Sequence, residues 1–381
     1  MRLGSLGPAN FMLYNLSPST TQDKMPRSCQ RRRGPIRVLT DCTGMETFVL
    51  SLLCLGARLE HIGASEIDAH ARKLVSANFK PKKFWKDIKD RDNTTIKDVD
   101  IYGAGFPCTP YSTSGRCQGP RDPRSGVAYF VVRTIVEVRP TLFVLENVAG
   151  LVSCHEEVLT WIINEISQTD HYNLYLKIIN TNEHGIPQSR PRLYIIGLAK
   201  KQDRGTFKFP DEIGHVGMSE ILDGAKRAPT CKDVPPASQT IACRNFIQAM
   251  GEIVWQGLNP FMRPCIVDLD HPTKVSWKHN MSPCLTRTRG GMGGFWVTCR
   301  GRRFTVNEML RLQGVSPRLL NLSVVSSRQM GLLCGNAMSC NVLERILFRA
   351  LPAVSLAEQS HLLPRWETLA LARATIADMH L

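Results

Sequence analysis

The chain has 381 residues, 43% of them apolar and 21% charged, enough to bury a full core in one or two domains. No apolar run reaches the length of a membrane span, so a soluble protein with no membrane partner is expected. The formal charge of +15 is the footprint of a protein that meets a polyanion, nucleic acid above all. Thirteen cysteines stand without a disulfide-like rhythm and without a CxxC pair, so free thiols in a reducing compartment are expected and a zinc site is not.

Residues 1–34 stand apart. They are rich in Ser, Pro and Arg, end in Arg31-Arg32-Arg33-Gly34 and hold a single acid, Asp23. That composition suits a disordered solvated arm, and equally a nuclear-import or DNA-contacting basic cluster or an organelle transit peptide. From Ile36 the pattern becomes regular. A short apolar strand over 36–40 runs into the turn Asp41-Cys42-Thr43-Gly44-Met45-Glu46-Thr47 and an apolar helix over 48–56. A strand over 61–68 that ends in acids precedes a basic amphipathic helix over 69–79. The strand over 99–106, the helix over 126–139 and the strand over 141–148 repeat the theme, and the stretches 174–185 and 192–199 read as a closing strand pair. This alternation predicts an α/β domain with a mainly parallel sheet. Between Lys200 and Lys278 the rhythm fails. The block from Lys200 to Arg300 carries 14 Lys/Arg against nine Asp/Glu, which suits a small second lobe facing a polyanion and equally a solvated surface. Beyond it, Thr305 and Glu308 form a capping-box pair for a helix over 305–314. A last helix over 341–351 is expected to pack back on the sheet, followed by a tail with one more apolar segment.

Ligands of open α/β sheets gather beyond the carboxyl ends of the strands. Cys108 lies just past the strand over 99–106, in a turn between Pro107 and Pro110, and Glu146 ends the next strand. The connecting helix makes a right-handed βαβ unit, which brings thiol and carboxylate to the same sheet edge. Neither Glu146 nor Asn147 has a packing reason to follow Leu142-Phe143-Val144-Leu145. A buried structural cysteine and a helix-capping acid would give the same placement.

Five motifs occur in order: Pro107-Cys108, Glu146-Asn147-Val148, Gln188-Ser189-Arg190-Pro191-Arg192-Leu193, Arg311-Leu312-Gln313-Gly314 and Gly335-Asn336. Together they resemble the cytosine-5 DNA methyltransferase family, from Ile36 to Leu347 with a gap over the variable lobe. The resemblance implies a Rossmann-like, S-adenosylmethionine-dependent methyltransferase fold with a smaller target-recognition lobe. The divisions are then a basic arm over 1–34, a catalytic domain over 35–199, the recognition lobe over 200–278, a return to the catalytic domain over 279–350, and a tail over 351–381. It implies that Cys108 attacks carbon 6 of cytosine, which makes carbon 5 nucleophilic, while Glu146 hydrogen-bonds or protonates ring nitrogen 3. Arg190 and Arg192 would steady the base's carbonyl oxygen and the adjoining backbone and favour the thiolate. The base would be flipped from the duplex, with Ser112 on a loop closing over it and Gln188 on the DNA side. For the methyl donor, S-adenosylmethionine, the resemblance implies Asp41 and Gly44 in the first turn, Glu66 at the ribose, Ile67 beside the adenine, and Asp87 with Ile88 at its amino edge. Pro107, Asn336 and Ala337 would complete that site. DNA is the implied partner, met by a monomer, and the basic arm tilts the expectation toward the nucleus.

The first turn departs from the family pattern. Glu46 and Thr47 hold places that usually carry glycine, and Asp41 falls one position late when Gly44 is aligned. Glu46 could meet the donor's ammonium or repel its carboxylate. Thr109 stands where glutamine is common. Two other readings remain: a tRNA cytosine methyltransferase, whose Cys-Phe-Thr signature is absent, and a silent DNA-binding scaffold, which only the altered turn supports.

Overall fold

Neighbouring residues of the central strands feed opposite cores. Val38, Ile101 and Leu142 face one helical layer, while Leu39, Tyr102 and Phe143 face the other, the period of two that an extended chain imposes. Both faces are covered, so these strands read as continuous apolar runs. The computed structural model describes residues 34–107, 126–225 and 227–381, so Cys108, Ser112 and residues 1–33 of the arm lie outside the described residues.

The strands are β1 (Ile36–Asp41), β2 (Leu59–Ser65), β3 (Phe84–Trp85), β4 (Ile101–Ala104), β5 (Leu142–Val148), β6 (Tyr172–Asn180), the two-residue β7 (His184–Gly185) and β8 (Pro191–Ala199). Among the described residues, seven of them form one sheet in the order β3-β2-β1-β4-β5-β8-β6. β1 to β5 run parallel, and β8 inserts antiparallel to both β5 and β6. The chain works outward from β1 to β3 and then returns to β4 on the other side of β1. That reversal opens a crevice at the carboxyl ends of β1 and β4.

The helices of this half are α1 (Thr47–Cys54), α2 (Ala69–Asn78), α3 (Gly126–Val138), the single turn α4 (Gly150–Ser153) and α5 (Glu156–Ser167). Phe48, Val49 and Leu52 of α1 share a core with the first sheet face, and Val131, Ile135, Ile162 and Ile166 of α3 and α5 cover the second. The expected α/β, Rossmann-like domain is present. β3 and α5 add to the predicted elements.

Beyond β8 come β9 (Gly214–His215), paired with β7, and a small sheet of β10 (Cys265–Asp268), β11 (Ser276–His279), β12 (Trp296–Val297) and β13 (Arg302–Arg303), in the order β11-β10-β12-β13. Two of its strands follow Lys278, so the expected end of the second lobe falls inside this sheet. The remaining helices are α6 (Met218–Ile221), α7 (Thr240–Trp255), α8 (Arg287–Gly291), α9 (Val306–Arg311), α10 (Ser327–Asn336), α11 (Cys340–Ala353) and α12 (Leu369–Asp378). The Thr305 hydroxyl accepts from Glu308 N–H at 3.1 Å and the Glu308 carboxylate accepts from Thr305 N–H at 2.7 Å, the predicted capping box. α11 packs on the sheet beside α1, as expected. The tail is also structural, since Trp366, Ala372 and Ile376 share a core with Met218 and Ile221. Among the described residues no helix is long and apolar enough to cross a membrane.

α8 and α10 meet backbone on backbone. A Cβ added at Gly331 would lie 2.0 Å from the Gly290 carbonyl oxygen, and one at Gly335 would lie 2.3 Å from the Thr286 backbone. Only hydrogen fits there. Gly331→Ala should therefore destabilise the fold by about 1–3 kcal/mol or more through overpacking. A thermal melt unchanged from the unsubstituted chain would contradict this packing.

Candidate active site

Glu146 and the segment leading to Cys108 are joined at the sheet edge. Asn147 Nδ2 donates to the Phe106 carbonyl at 3.3 Å, and a Cβ placed on Gly105 would stand 3.6 Å from Glu146 Oε2. Residue 105 has no side chain, so the backbone that leads to half-buried Pro107 passes close to the carboxyl. Glu146 itself is 7% exposed. Burial pushes its carboxyl above the usual range, and Arg192, then Arg190, offset only part of that rise. Arg192 Nε lies 3.1 Å from Glu146 Oε1, as a close ion pair rather than an aligned hydrogen bond.

The two arginines have different roles. Arg192 faces Glu146. Arg190 is buried, with Nη1 donating to the carbonyls of Leu285 at 2.8 Å and Gly335 at 3.3 Å, and Nη2 donating to that of Ala337 at 2.6 Å. Its guanidinium therefore ties the end of α10 and the approach to α8 onto β8. The expected pair, at the base's carbonyl oxygen and the adjoining backbone, therefore divides: Arg192 stands beside Glu146, while the Arg190 guanidinium is committed to backbone carbonyls. Gln188 is corrected as well: it is fully buried, donating to Leu312 O at 2.7 Å and accepting from Leu285 N–H at 2.9 Å, so it braces the Arg311-Leu312-Gln313-Gly314 segment and does not face DNA.

On the donor side, Asp41 is the largest correction. It is 1% exposed. Oδ1 accepts from Ser65 and Arg91 Nη1, each at 2.6 Å, and Oδ2 accepts from Arg91 Nη2 and Tyr102 Oη, each at 2.7 Å. Four charge-assisted bonds saturate the carboxylate, which pins β1, β2 and β4 together where the strand order reverses. Arg91, which no motif signalled, carries this network. Its one hint in sequence is a cation inside the acidic run Asp87-Ile88-Lys89-Asp90-Arg91-Asp92.

Other residues suit the donor. Gly44 has a left-handed φ of +54° and nothing within 4 Å of where a Cβ would lie. Its N–H donates to Glu66 Oε2 at 2.7 Å, and Asp68 N–H donates to Oε1 at 2.8 Å. This presents a carboxylate at the rim with lone pairs left for hydroxyl groups. Ile67 is 68% exposed beside it, an apolar platform at a strand end. Burial raises the Cys42 thiol well above its ordinary range, and Glu66, Asp41 and Asp87 raise it further, so these acids converge on one edge. Asp87 is half-buried and caps the turn that follows by accepting from Lys89 N–H at 3.0 Å. The Ile88 side chain belongs to the core, which leaves its backbone for any contact. Asn336 is exposed at the end of α10, and Ala337 is buried with its carbonyl on Arg190. An open glycine turn, a rim carboxylate, a bare apolar side chain and an exposed amide fit an adenosyl amino acid.

Glu46 neither meets nor repels the donor. It keeps the left-handed backbone of the family's glycine, with φ of 62°, and turns its side chain into the interior. There the Thr40 hydroxyl donates to Oε2 at 3.0 Å, and His61 Nε2 stands 3.7 Å away. Burial pushes the carboxyl up to about 8 and the imidazole down to about 4, so both are neutral at pH 7.

Asp41→Asn should cost about 3–5 kcal/mol in chemical denaturation, because it leaves the buried Arg91 guanidinium uncompensated. Normal stability with lost donor binding in calorimetry would return Asp41 to the donor site. For Glu46 the folded value lies above the roughly 4.3 of an unfolded chain. Its contribution is then fully present below that range and is lost as pH rises through about 8. Glu46→Gln cannot ionise, so its stability relative to the unsubstituted chain should improve steadily between about pH 5 and about pH 9. A pH-independent difference in urea denaturation would contradict the buried neutral acid.

The C-5 cytosine-specific DNA methylase family matches residues 42–350 of the chain. The type II methyltransferase M.NgoBI of Neisseria gonorrhoeae is 31% identical over 297 residues, covering 74% of this chain and 84% of that protein. M.HaeII of Haemophilus aegyptius is 31% identical over 297 residues, covering 75% and 84%. The solved structure of the Entamoeba histolytica methyltransferase EhMeth aligns with a TM-score of 0.60 at 18% identity, covering 86% of this chain and 100% of that one, a likeness of fold. The chain therefore belongs to the C-5 cytosine-specific DNA methylases, enzymes that move a methyl group from S-adenosylmethionine to carbon 5 of cytosine in DNA.

Proposed function

We propose that Cys108 is the nucleophile of this methyltransferase, that Glu146 is its proton donor and that Arg192 orients Glu146. The observation that carries this reading is the buried Glu146 carboxyl, held above its ordinary range and next to the segment that runs directly into Cys108. A protonated carboxyl can donate to ring nitrogen 3 of cytosine, which draws electrons from carbon 6 and makes it electrophilic. The Cys108 thiolate then bonds to carbon 6 as the ring's double bond shifts, and carbon 5 becomes an enamine-like nucleophile. S-Adenosylmethionine, when bound, supplies an electrophilic methyl group on a sulfonium. After transfer, the carbon 5 proton leaves, the carbon–sulfur bond breaks and Cys108 recovers its electron pair.

Gly44, Glu66, Ile67, Asp87, the Ile88 backbone, Pro107 and Asn336 are the residues we assign to donor binding. The inward Glu46 takes away one of the departures in the first turn that favoured a silent scaffold. Attack on a ring face that is stacked in the duplex requires the base to be flipped out, and Ser112 is assigned to the loop that closes over it. Sequence recognition is assigned to the second lobe, with the small sheet extending it to Arg303. Nuclear placement is not part of this proposal, because M.NgoBI and M.HaeII come from bacteria and residues 1–33 lie outside the described residues.

Cys108→Ser should abolish methyl incorporation into duplex DNA while leaving the melting curve intact. A mechanism-based cytosine analogue should form a covalent adduct with the unsubstituted chain and none with the variant. Glu146→Gln should lower the rate by about 10²–10⁴-fold. Incorporation into tRNA in place of duplex DNA, or an adduct that survives Cys108→Ser, would overturn the assignment.

A further inference from the structure

A second thiol stands at this site. A parallel bridge pairs Gln188 with Ser282. Ser282 N–H donates to Pro187 O at 2.7 Å, and Ser189 N–H donates to Ser282 O at 2.9 Å. Parallel pairing advances both segments together, so two residues further on Arg190 stands beside Cys284. Arg190 Nη1 and Arg192 Nη2 each donate to Cys284 Sγ at 3.6 Å. The Arg192 guanidinium thus reaches the sulfur through Nη2, the Pro191 carbonyl through Nη1 at 2.8 Å, and Glu146 through Nε.

We propose that Cys284 is a positioning residue for the methyl transfer: its sulfur, gripped by both guanidiniums, fixes Arg192 against Glu146 and offsets part of the positive charge that the carboxyl faces. The inference rests on the methyl-transfer reading given above. Burial by itself would raise the thiol, but Arg192 and Arg190 outweigh it and hold Cys284 below the ordinary thiol range. Among the described residues, the groups facing Glu146 are Arg192 and Tyr194 of β8 and Arg190 just ahead of that strand, and Tyr194 stays neutral. Cys334 of α10 also faces Arg190, but burial pushes it up to about 12, so it brings no charge. Both guanidiniums favour the thiolate of Cys284, and its ionisation would set a negative charge against the two arginines beside Glu146. An anion there weakens the pull of Arg192 on the Glu146 proton, and so favours the protonated carboxyl.

Activity that needs a protonated Glu146 falls as pH rises through that group's value. Cys284→Ser, which cannot ionise in this range, removes the offset. The descending limb of the kcat profile should move to lower pH, while KM for DNA and for the donor holds. Cys284→Asp, which restores an anion, should move the limb back. A Cys284→Ser profile that superimposes on that of the unsubstituted chain, with matched melting curves, would overturn the proposal. A readout independent of turnover is alkylation of the full chain by iodoacetamide, followed peptide by peptide. Cys284 should be half-modified at a lower pH than exposed Cys154, and Arg192→Gln should raise that midpoint; equal midpoints would overturn the pairing. An unsubstituted chain that transfers no methyl group would instead fall against the methyl-transfer reading, and the alkylation midpoints would still decide whether the guanidiniums hold the sulfur.

Discussion

Glu146 and Arg192 meet at 3.1 Å where β5 pairs with β8, and burial outweighs the ion pair in setting the state of the carboxyl. A carboxylate beside two guanidiniums in water would stay charged and could only accept hydrogen bonds. Shut off from water, the same group holds its proton more tightly than a free carboxyl does. The arrangement depends on the antiparallel insertion of β8. That insertion puts Val148 opposite Arg192 and Glu146 opposite Tyr194, so the arginine reaches back along the strand to the acid. Asn147, gripping the Phe106 carbonyl, adds β4 to the same joint.

The fold builds this joint by fastening its switch point from beneath. Asp41, Arg91, Ser65 and Tyr102 form a saturated buried network at the ends of three strands. The donor crevice above them is left to Gly44, Glu66 and Ile67. On the far side, Arg190 holds the end of α10 and the Leu285 carbonyl ahead of α8, and the glycine contacts let α8 and α10 pack backbone on backbone. Residues that look like ligands on a linear map thus divide into those that face the crevice and those that hold its walls in place.

What was legible in the sequence follows from this division. The strand–helix alternation and the Thr305–Glu308 cap depend on local periodicity and chain direction, and both stand; Glu146 lies near the carboxyl end of β5, which runs two residues past it. Asp41 and Gln188 resembled ligands because motif position records where a residue sits in the chain, whereas their partners lie up to 124 positions away. Glu46 reads as a clash with the donor only if its side chain points outward. The left-handed backbone turns it inward, where burial neutralises it. Cys284 carried no signal, because its importance comes from a bridge between residues 188 and 282. The short β3 and the lobe elements gave no clear period, since two-residue strands and turn-rich segments are specified by the surfaces they pack against.

The reading proposed above gives the protonated Glu146 and the Cys108 thiol their parts on one base, with the methyl donor beside Gly44, Glu66 and Ile67. The most direct test of that chemistry is solvent exchange of the hydrogen at carbon 5 of cytosine in duplex DNA, followed as tritium release without any methyl donor. Thiolate addition to carbon 6 makes carbon 5 basic, so the account predicts release by the unsubstituted chain, a much slower release by Glu146→Gln and none by Cys108→Ser. Release that persists without the Cys108 sulfur would contradict it.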